Sequence, residues 1–219
     1  MSTRMQTAFK KAAVVMFIII VVLVVDQGLK IWIKTNMFLH ESLTITNWFY
    51  LSFIENNGAA FGMEIVGKLF LTLFRIVAVC LVGYYLLKQI KSDGRWKWII
   101  CLSLVLAGAA GNIFDCLFYG MIFDESTATH ISQFVPFGHG YSSLFMGKVV
   151  DMLYFPIISI DWPGWIPFIG GNHFVFFSPV FNFADSAITC GIIAMLIYCR
   201  KELSNLTFKK SKKADEPAS

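Results

Sequence analysis

Asp151 and Asp185 are the residues whose settings most restrict what this chain can do. Each carboxylate interrupts an apolar stretch, Gly147-Lys148-Val149-Val150-Asp151-Met152-Leu153 in one case and Phe181-Asn182-Phe183-Ala184-Asp185-Ser186-Ala187-Ile188 in the other. A carboxylate at membrane depth costs roughly 2.5–3.5 kcal/mol on insertion scales, so it persists only with a partner or a task. Two facing carboxylates share one proton, because like charges at close range do not both ionise cheaply. Such a pair activates water as a base and protonates a leaving amine as an acid, which is the chemistry of an aspartic peptidase.

The elements that must position this pair are membrane helices. The 219 residues are 57% hydrophobic and only 15% charged, where a soluble domain carries about 25% charge. The chain reads as one integral membrane domain over residues 1–206, followed by a basic, disordered tail at 207–219. Four spans are predicted, at about residues 12–33, 69–87, 98–118 and 179–198, with long loops at 34–68 and 119–178. The first apolar run follows Lys10-Lys11 as in a signal peptide, but no small-x-small cleavage site comes after it, so it reads as retained.

Orientation follows the basic residues. Arg4, Lys10 and Lys11, then Lys88, Lys91, Arg95 and Lys97, then Arg200, Lys201, Lys209, Lys210, Lys212 and Lys213 place thirteen of the eighteen on one side. The other side has only Lys34, Lys68 and Lys148. Both termini are therefore expected in the cytoplasm, with the long loops outside. The net charge of +4 reflects this topology and gives no sign of a nucleic-acid partner. The five cysteines (Cys80, Cys101, Cys116, Cys190, Cys199) are odd in number, lack C-x-x-C spacing and read as small membrane hydrophobes.

With that topology, the polar residues of the third and fourth spans converge. Asn112 and Asp115 lie three apart behind the small residues of Gly108-Ala109-Ala110-Gly111, which permit close helix approach. Asn182 and Asp185 repeat the spacing. The third span leaves toward the outside and the fourth enters from there, so these residues and Asp151 are expected at one level near the outer surface. Asp26 and Lys30 are spaced i, i+4 with the acid first, the favourable order for a neutralising pair. Arg75, alone in the second span, is expected to bond a carboxylate or a backbone carbonyl. The four histidines all fall in the outward loops without an H-E-x-x-H pattern, so no metal site is expected. Ser142-Ser143 near His139 lacks the G-x-S-x-G context of a serine nucleophile.

The loops carry their own signals. Residues 43–54 are β-branched and aromatic with partial alternation and end at the turn signal Glu55-Asn56-Asn57-Gly58, which predicts a strand or small hairpin on the membrane surface. Residues 153–177 hold Tyr154, Phe155, Trp162, Trp165, Phe168, Phe174, Phe176 and Phe177 among prolines and glycines. Aromatics at that density suit the lipid headgroup layer, either to anchor the loop or to shape a groove for an apolar substrate.

Taken together the sequence resembles the lipoprotein signal peptidases (signal peptidase II) of bacteria. The resemblance is carried by Asp26-Gln27-x-x-Lys30, Asn57-Gly58-Ala59-Ala60-Phe61-Gly62, Gly108-x-x-Gly111-Asn112-x-x-Asp115, Gly147-x-Val149-Val150-Asp151 and Phe181-Asn182-x-Ala184-Asp185-Ser186-x-Ile188, in that order. It implies an all-α membrane protein, a four-transmembrane-helix bundle with a small extracytoplasmic β-cradle and inserted loops, located in the bacterial cytoplasmic (inner) membrane with its active site near the outer face. It implies cleavage of prolipoproteins before a diacylglyceryl-modified cysteine, without a cofactor, by a monomer whose partners are the lipidated substrate and membrane lipid. On that pattern Asp151 and Asp185 match the catalytic aspartates. Asn57, Asn112, Asp115 and Asn182 match residues that support the dyad or position substrate, and Asp26 and Lys30 match a structural pair. Where the family pattern carries Arg, this chain has Cys116, and a thiol lacks the forked donors of a guanidinium. The intervals from Asp115 to Asp151 and before Phe181 are also long, which points to a differently covered site or a different lipobox preference. The competing class is a small ion- or proton-coupled transporter using intramembrane carboxylates. Four spans without internal repeats, and carboxylates near one surface, count against it.

Overall fold

The computed structural model describes residues 3–58, 66–168 and 170–205. Residues 59–62 of the glycine-containing motif and the basic tail at 207–219 lie outside the described residues. The elements run in the order α1 (Thr3–Asn36), β1 (Ser42–Thr46), β2 (Phe49–Asn56), α2 (Val66–Lys91), α3 (Trp96–Phe114), a π-helical turn (Asp115–Tyr119), the short turn α4 (Gly120–Ile122), β3 (Val149–Tyr154), β4 (Ile158–Asp161), β5 (His173–Phe176), β6 (Val180–Phe181) and α5 (Phe183–Tyr198).

Among the described residues three helical segments are long and apolar enough to cross a membrane: Thr3–Asn36, Gly67–Lys91 and Trp96–Ile122. Their outward side chains are themselves apolar, with Phe17, Phe70, Phe74 and Leu81 all exposed. A helix apolar on every side suits lipid and not water. The fourth apolar helix is shorter and later than the sequence suggested. It begins at Phe183 because Val180–Phe181 pairs as β6 with β3, and it has 16 residues.

The chain groups into two compact units. One comprises residues 1–24, 75–111 and 184–219. Its core is Val15, Leu86, Ile90, Trp98, Ile99, Cys101, Leu102, Met195 and Cys199, drawn from α1, α2, α3 and the α5 region. Glycines allow the close approach of α3 and α5, since a Cβ at Gly108 would lie 2.2 Å from the Ala184 carbonyl oxygen. Lys11 is buried here, bonded to Asp93 and, at 2.8 Å, to the Gly94 carbonyl. The hydrogen bond from Lys11 holds the Asp93 carboxyl below the usual aspartate range.

The other unit comprises residues 25–74 and 112–183. Its centre is a four-stranded antiparallel sheet in the order β1-β2-β3-β6. The predicted hairpin is β1–β2, closed by Ser42↔Ser52, Leu43↔Leu51 and Thr44↔Tyr50. One face of the sheet packs Phe53, Val150 and Met152 against Ile33, Met37, Tyr119 and Phe123. All five cysteines are free thiols.

Candidate active site

Asp151 lies on β3, a strand in which Val149, Val150 and Met152 are buried around it. Side chains alternate along a strand, so Val150 and Met152 enter the core while Asp151 points to the opposite face. Asp151 is opposite Ile54 in the β2–β3 register, and Asn56, two residues along β2, shares its face. Asn56 Nδ2 donates to Asp151 Oδ2 at 3.2 Å, and Asn182 Nδ2 donates to Asp151 Oδ1 at 2.7 Å. Both carboxylate oxygens therefore hold an amide N–H. That fixes the plane of the carboxylate against a rigid strand.

Asn182 sits between the end of β6 and the start of α5, fully buried. Its amide reaches Asn112 Oδ1 at 3.0 Å as well as Asp151. Asn112 also accepts from Lys30 Nζ at 3.0 Å. Lys30, itself fully buried, bridges two buried carboxylates, Asp26 at 2.9 Å and Asp115 at 2.8 Å. Gln27 continues the network, donating to Asp115 Oδ1 at 2.9 Å and Asp26 Oδ2 at 3.1 Å, and accepting from Tyr119 at 3.0 Å. A continuous polar chain thus runs from Tyr119 through Gln27, Asp115, Lys30, Asn112 and Asn182 to Asp151. In a low-dielectric setting each such group is costly alone and rigid when every partner is present.

Asp115 also acts on the strand directly. Its Oδ2 accepts the Val150 backbone N–H at 3.3 Å, one residue before Asp151. Asp115 opens a π-helical turn that runs to Tyr119, and such turns are frequent at functional sites. Gly147 makes the approach of β3 to this turn possible. A Cβ there would fall 2.0 Å from the Asp115 carbonyl oxygen, and the Gly147 N–H donates to the Cys116 carbonyl at 2.9 Å.

The residues singled out in the sequence are thus placed as follows. Asp26, Lys30, Asn112, Asp115, Asn182 and Asp151 belong to one connected network. Asp185 is in the first turn of α5, three residues after Asn182. Asn57 Oδ1 accepts from Lys68 Nζ at 3.1 Å, while its neighbour Asn56 makes the contact to Asp151. Strand parity carried the signal, since Asn56 and Ile54 lie on the same side of β2. Gln27, part of the Asp26-Gln27-x-x-Lys30 motif, and Tyr119 complete the network, and only the structure gives them their partners.

A second polar cluster, without a motif in the sequence, lies on the other face of the sheet. Lys34 Nζ, fully buried, lies 2.5 Å from Glu55 Oε1 and donates to Ser126 Oγ at 2.8 Å. Lys148 Nζ lies 3.0 Å from Glu55 Oε2. Phe53, Phe123 and Tyr141 surround the Lys34 ammonium with ring centroids 5.0–5.9 Å away. Burial pushes the Glu55 carboxyl up, but Lys34 and Lys148 outweigh it and leave it below the ordinary glutamate range. Lys34 follows Lys30 by four residues and Asp26 by eight, so a polar stripe along α1 was its sequence trace. Among the described residues no group of three or more His, Cys, Asp or Glu is arranged to hold a metal.

Relatives of known kind share this chain's sequence and fold. The family described as Signal peptidase (SPase) II matches residues 18–201. A lipoprotein signal peptidase of Porphyromonas gingivalis is 50% identical over 194 residues, 88% of this chain and 85% of that protein. One from Amoebophilus asiaticus is 36% identical over 187 residues, 82% of this chain and 75% of that protein. Two bacterial membrane enzymes solved by the in meso method have the same fold. One has a TM-score of 0.57 at 23% identity, covering 84% of this chain and 91% of that one; the other has 0.56 at 22%, covering 94% of both. The match takes in every element of the polar network from Asp26 to Asn182, and with it the chain belongs to the signal peptidase II family, whose work is the removal of signal peptides from prolipoproteins.

Proposed function

We propose that this protein is an aspartic endopeptidase in which Asp151 and Asp185 share one proton and activate a single hydrolytic water. The observation that carries the reading is the setting of Asp151, held at both oxygens by Asn56 and Asn182. Chain connectivity supports the second partner, because Asp185, in the first turn of α5, follows the Asp151-bonded Asn182 by three residues. The ionised carboxylate takes a proton from water as the water oxygen attacks the scissile carbonyl carbon. The protonated one donates to the carbonyl oxygen, and a proton then passes to the leaving amine as the C–N bond breaks. Asn182, Asn112 and Asp115 position Asp151, Asn57 borders the site, and the Asp26–Lys30 pair is structural.

The substrate is the diacylglyceryl-modified prolipoprotein, cut before its lipidated cysteine. Membrane burial delivers lipid anchor and peptide bond at a fixed depth, so positioning supplies part of the rate. The protein acts as a monomer and as one peptidase domain over residues 1–206. It lies in the cytoplasmic (inner) membrane with four spans, both termini inside, the site near the outer face and the β1-β2-β3-β6 sheet as its extracytoplasmic cradle. At 1.5 Å per residue α5 spans about 24 Å. Helical hydrogen bonds at Cys199 and Leu203 extend it, which supports a fourth crossing.

The test is Asp151→Asn and Asp185→Asn, each assayed for release of signal peptide from a lipidated precursor and from the same precursor without lipid. Each variant is expected to lose roughly 10³-fold or more in kcat at normal protein level, and only the lipidated form should be cut by the wild type. Near-normal turnover by either variant removes the dyad.

A further inference from the structure

The loop between β3 and β6 leaves the main sheet and builds a second, two-stranded sheet from β4 and β5. Its register is Ile158↔Phe176, Ser159↔Val175, Ile160↔Phe174 and Asp161↔His173. Alternation therefore sorts Ile158, Ile160, Phe174 and Phe176 onto one face and Ser159, Asp161, His173 and Val175 onto the other. The second face carries the polar side chains of the hairpin beside Val175. His173 joins Asp161 Oδ1 at 2.6 Å to Ser159 Oγ at 3.2 Å. The order of groups mimics a hydrolytic triad, yet Asp161 is 81% exposed and water competes for each bond.

The first face is apolar and open, with Ile158, Ile160, Phe174 and Phe176 each 41–51% exposed. A two-stranded sheet is marginal in water by itself, and an apolar face of this kind calls for a cover. Three observations favour lipid as the cover. No Lys or Arg occurs between Lys148 and Arg200, so the segment carries no cation to hold it away from an apolar boundary. The apolar helix α5 begins at Phe183, seven residues after Phe176, which tethers the hairpin within about 25 Å of a membrane-type helix. The connection between the strands carries Trp162, Trp165 and Phe168, with Trp165 81% exposed and Phe168 fully so, and such rings collect at membrane–water boundaries.

We propose that the β4–β5 hairpin is a lipid-binding arm. Its Ile158–Ile160–Phe174–Phe176 face rests on the headgroup–acyl boundary of the bilayer, and its Ser159–His173–Asp161 face meets water. This surface goes beyond peptide hydrolysis and stands whether or not Asp151 and Asp185 form a dyad.

The test places the photo-crosslinker p-benzoylphenylalanine, one position at a time, at residues 173, 174, 175 and 176 of the full chain in phosphatidylcholine nanodiscs. Intact mass after irradiation identifies the neighbour. Phospholipid adducts are expected at 174 and 176, with at least a tenfold lower yield at 173 and 175. Equal adducts at all four positions, no adducts, or protein dimers from 174 and 176 overturn the proposal, the last by showing a second copy as the cover. If the replacements prevent folding, quenching by brominated phosphatidylcholine decides instead. The wild type must lose a component of fluorescence that Trp165→Phe lacks, and an identical quenching profile for the two overturns the lipid assignment.

Discussion

Neutralising Glu55 is the most informative perturbation, because this residue joins the stability of the sheet to the geometry of the site. Glu55 is the acceptor shared by Lys34 at 2.5 Å, Lys148 at 3.0 Å and the Ser126 hydroxyl at 3.0 Å. Glu55→Gln keeps the shape and removes the charge, leaving a fully buried ammonium among Phe53, Phe123 and Tyr141. Breaking a buried pair from one side costs about 3–5 kcal/mol. Contact of the ammonium with the three rings offsets about 1–2 kcal/mol. A net loss of about 1–4 kcal/mol corresponds to a melting temperature lower by roughly 2–16 °C for a chain of this size. Removing both charges should be milder, so Lys34→Met/Glu55→Gln is expected to recover about half of the loss or more.

The sign of the pH dependence is fixed by the direction of the Glu55 shift. Its folded carboxyl titrates below the ordinary glutamate range, so its contribution is full above about pH 4.3, the unfolded value, and fades as pH falls through the lower folded value. The gap in melting temperature between wild type and Glu55→Gln should be constant from pH 6 to 8 and close only in acid. The functional effect runs through the next residue. Glu55 pairs with Val150 and Asn56 with Val149, beside an irregularity in the β2–β3 register between Leu51 and Ile54. Loosening the Glu55 clamp frees this bulged strand to move Asn56 off Asp151. A displacement near 1 Å costs up to about 100-fold, so kcat should fall about tenfold or more with KM within about threefold. In an Asn56→Ala background the same change should cost less than about twofold, because the two act on one contact. Independent, multiplying effects of Glu55→Gln and Asn56→Ala, or an unchanged melting temperature, would refute the reasoning.

Asn56→Ala is expected to lower kcat more than tenfold while Asn57→Ala changes it less, since only the former removes a donor from Asp151; steady-state cleavage of a lipidated precursor compares them. Gly147→Ala forces a methyl group to 2.0 Å from the Asp115 carbonyl, whereas Gly164→Ala meets nothing within 4 Å. The first should cost about 2–3 kcal/mol in thermal unfolding and most of the activity, and the second neither. Lys30→Met leaves Asp26 and Asp115 as buried, unneutralised neighbours and should lower stability by about 3–5 kcal/mol, read as loss of folded protein in detergent.

How much of this could be seen in the sequence depended on whether the deciding contact was local. The β1–β2 hairpin was visible because alternation and a turn signal are written within a dozen residues. The Asp26–Lys30 pair was visible because i, i+4 on a helix is local as well. The strand bearing Asp151 was not. Val149-Val150-Asp151-Met152-Leu153 is an apolar run too short for its periodicity to separate a buried strand from a helix. Only its pairing with β2 and β6, some hundred residues before and thirty after, decides the matter. The same pairing moved the start of α5 from Pro179 to Phe183, because β6 claims Val180–Phe181. Asn56 was hidden for a related reason: which residues of a strand face Asp151 is a question of strand parity.

The division between what was legible and what was not follows the construction of the site. The helices supply charge at intervals that the sequence displays, in Asp26, Lys30, Asn112 and Asp115. The sheet supplies aim, and aim is set by register. Asp115 links the two: one oxygen takes Gln27 and the other takes Lys30 and the Val150 backbone. A strand anchored by its backbone one residue before Asp151, and by side-chain amides at Asp151 itself, has little freedom to twist. Helix-borne carboxylates alone would leave the orientation of Asp151 to a flexible rotamer. The short sheet therefore explains why a membrane protein of mostly apolar helices keeps a patch of antiparallel structure against its polar network.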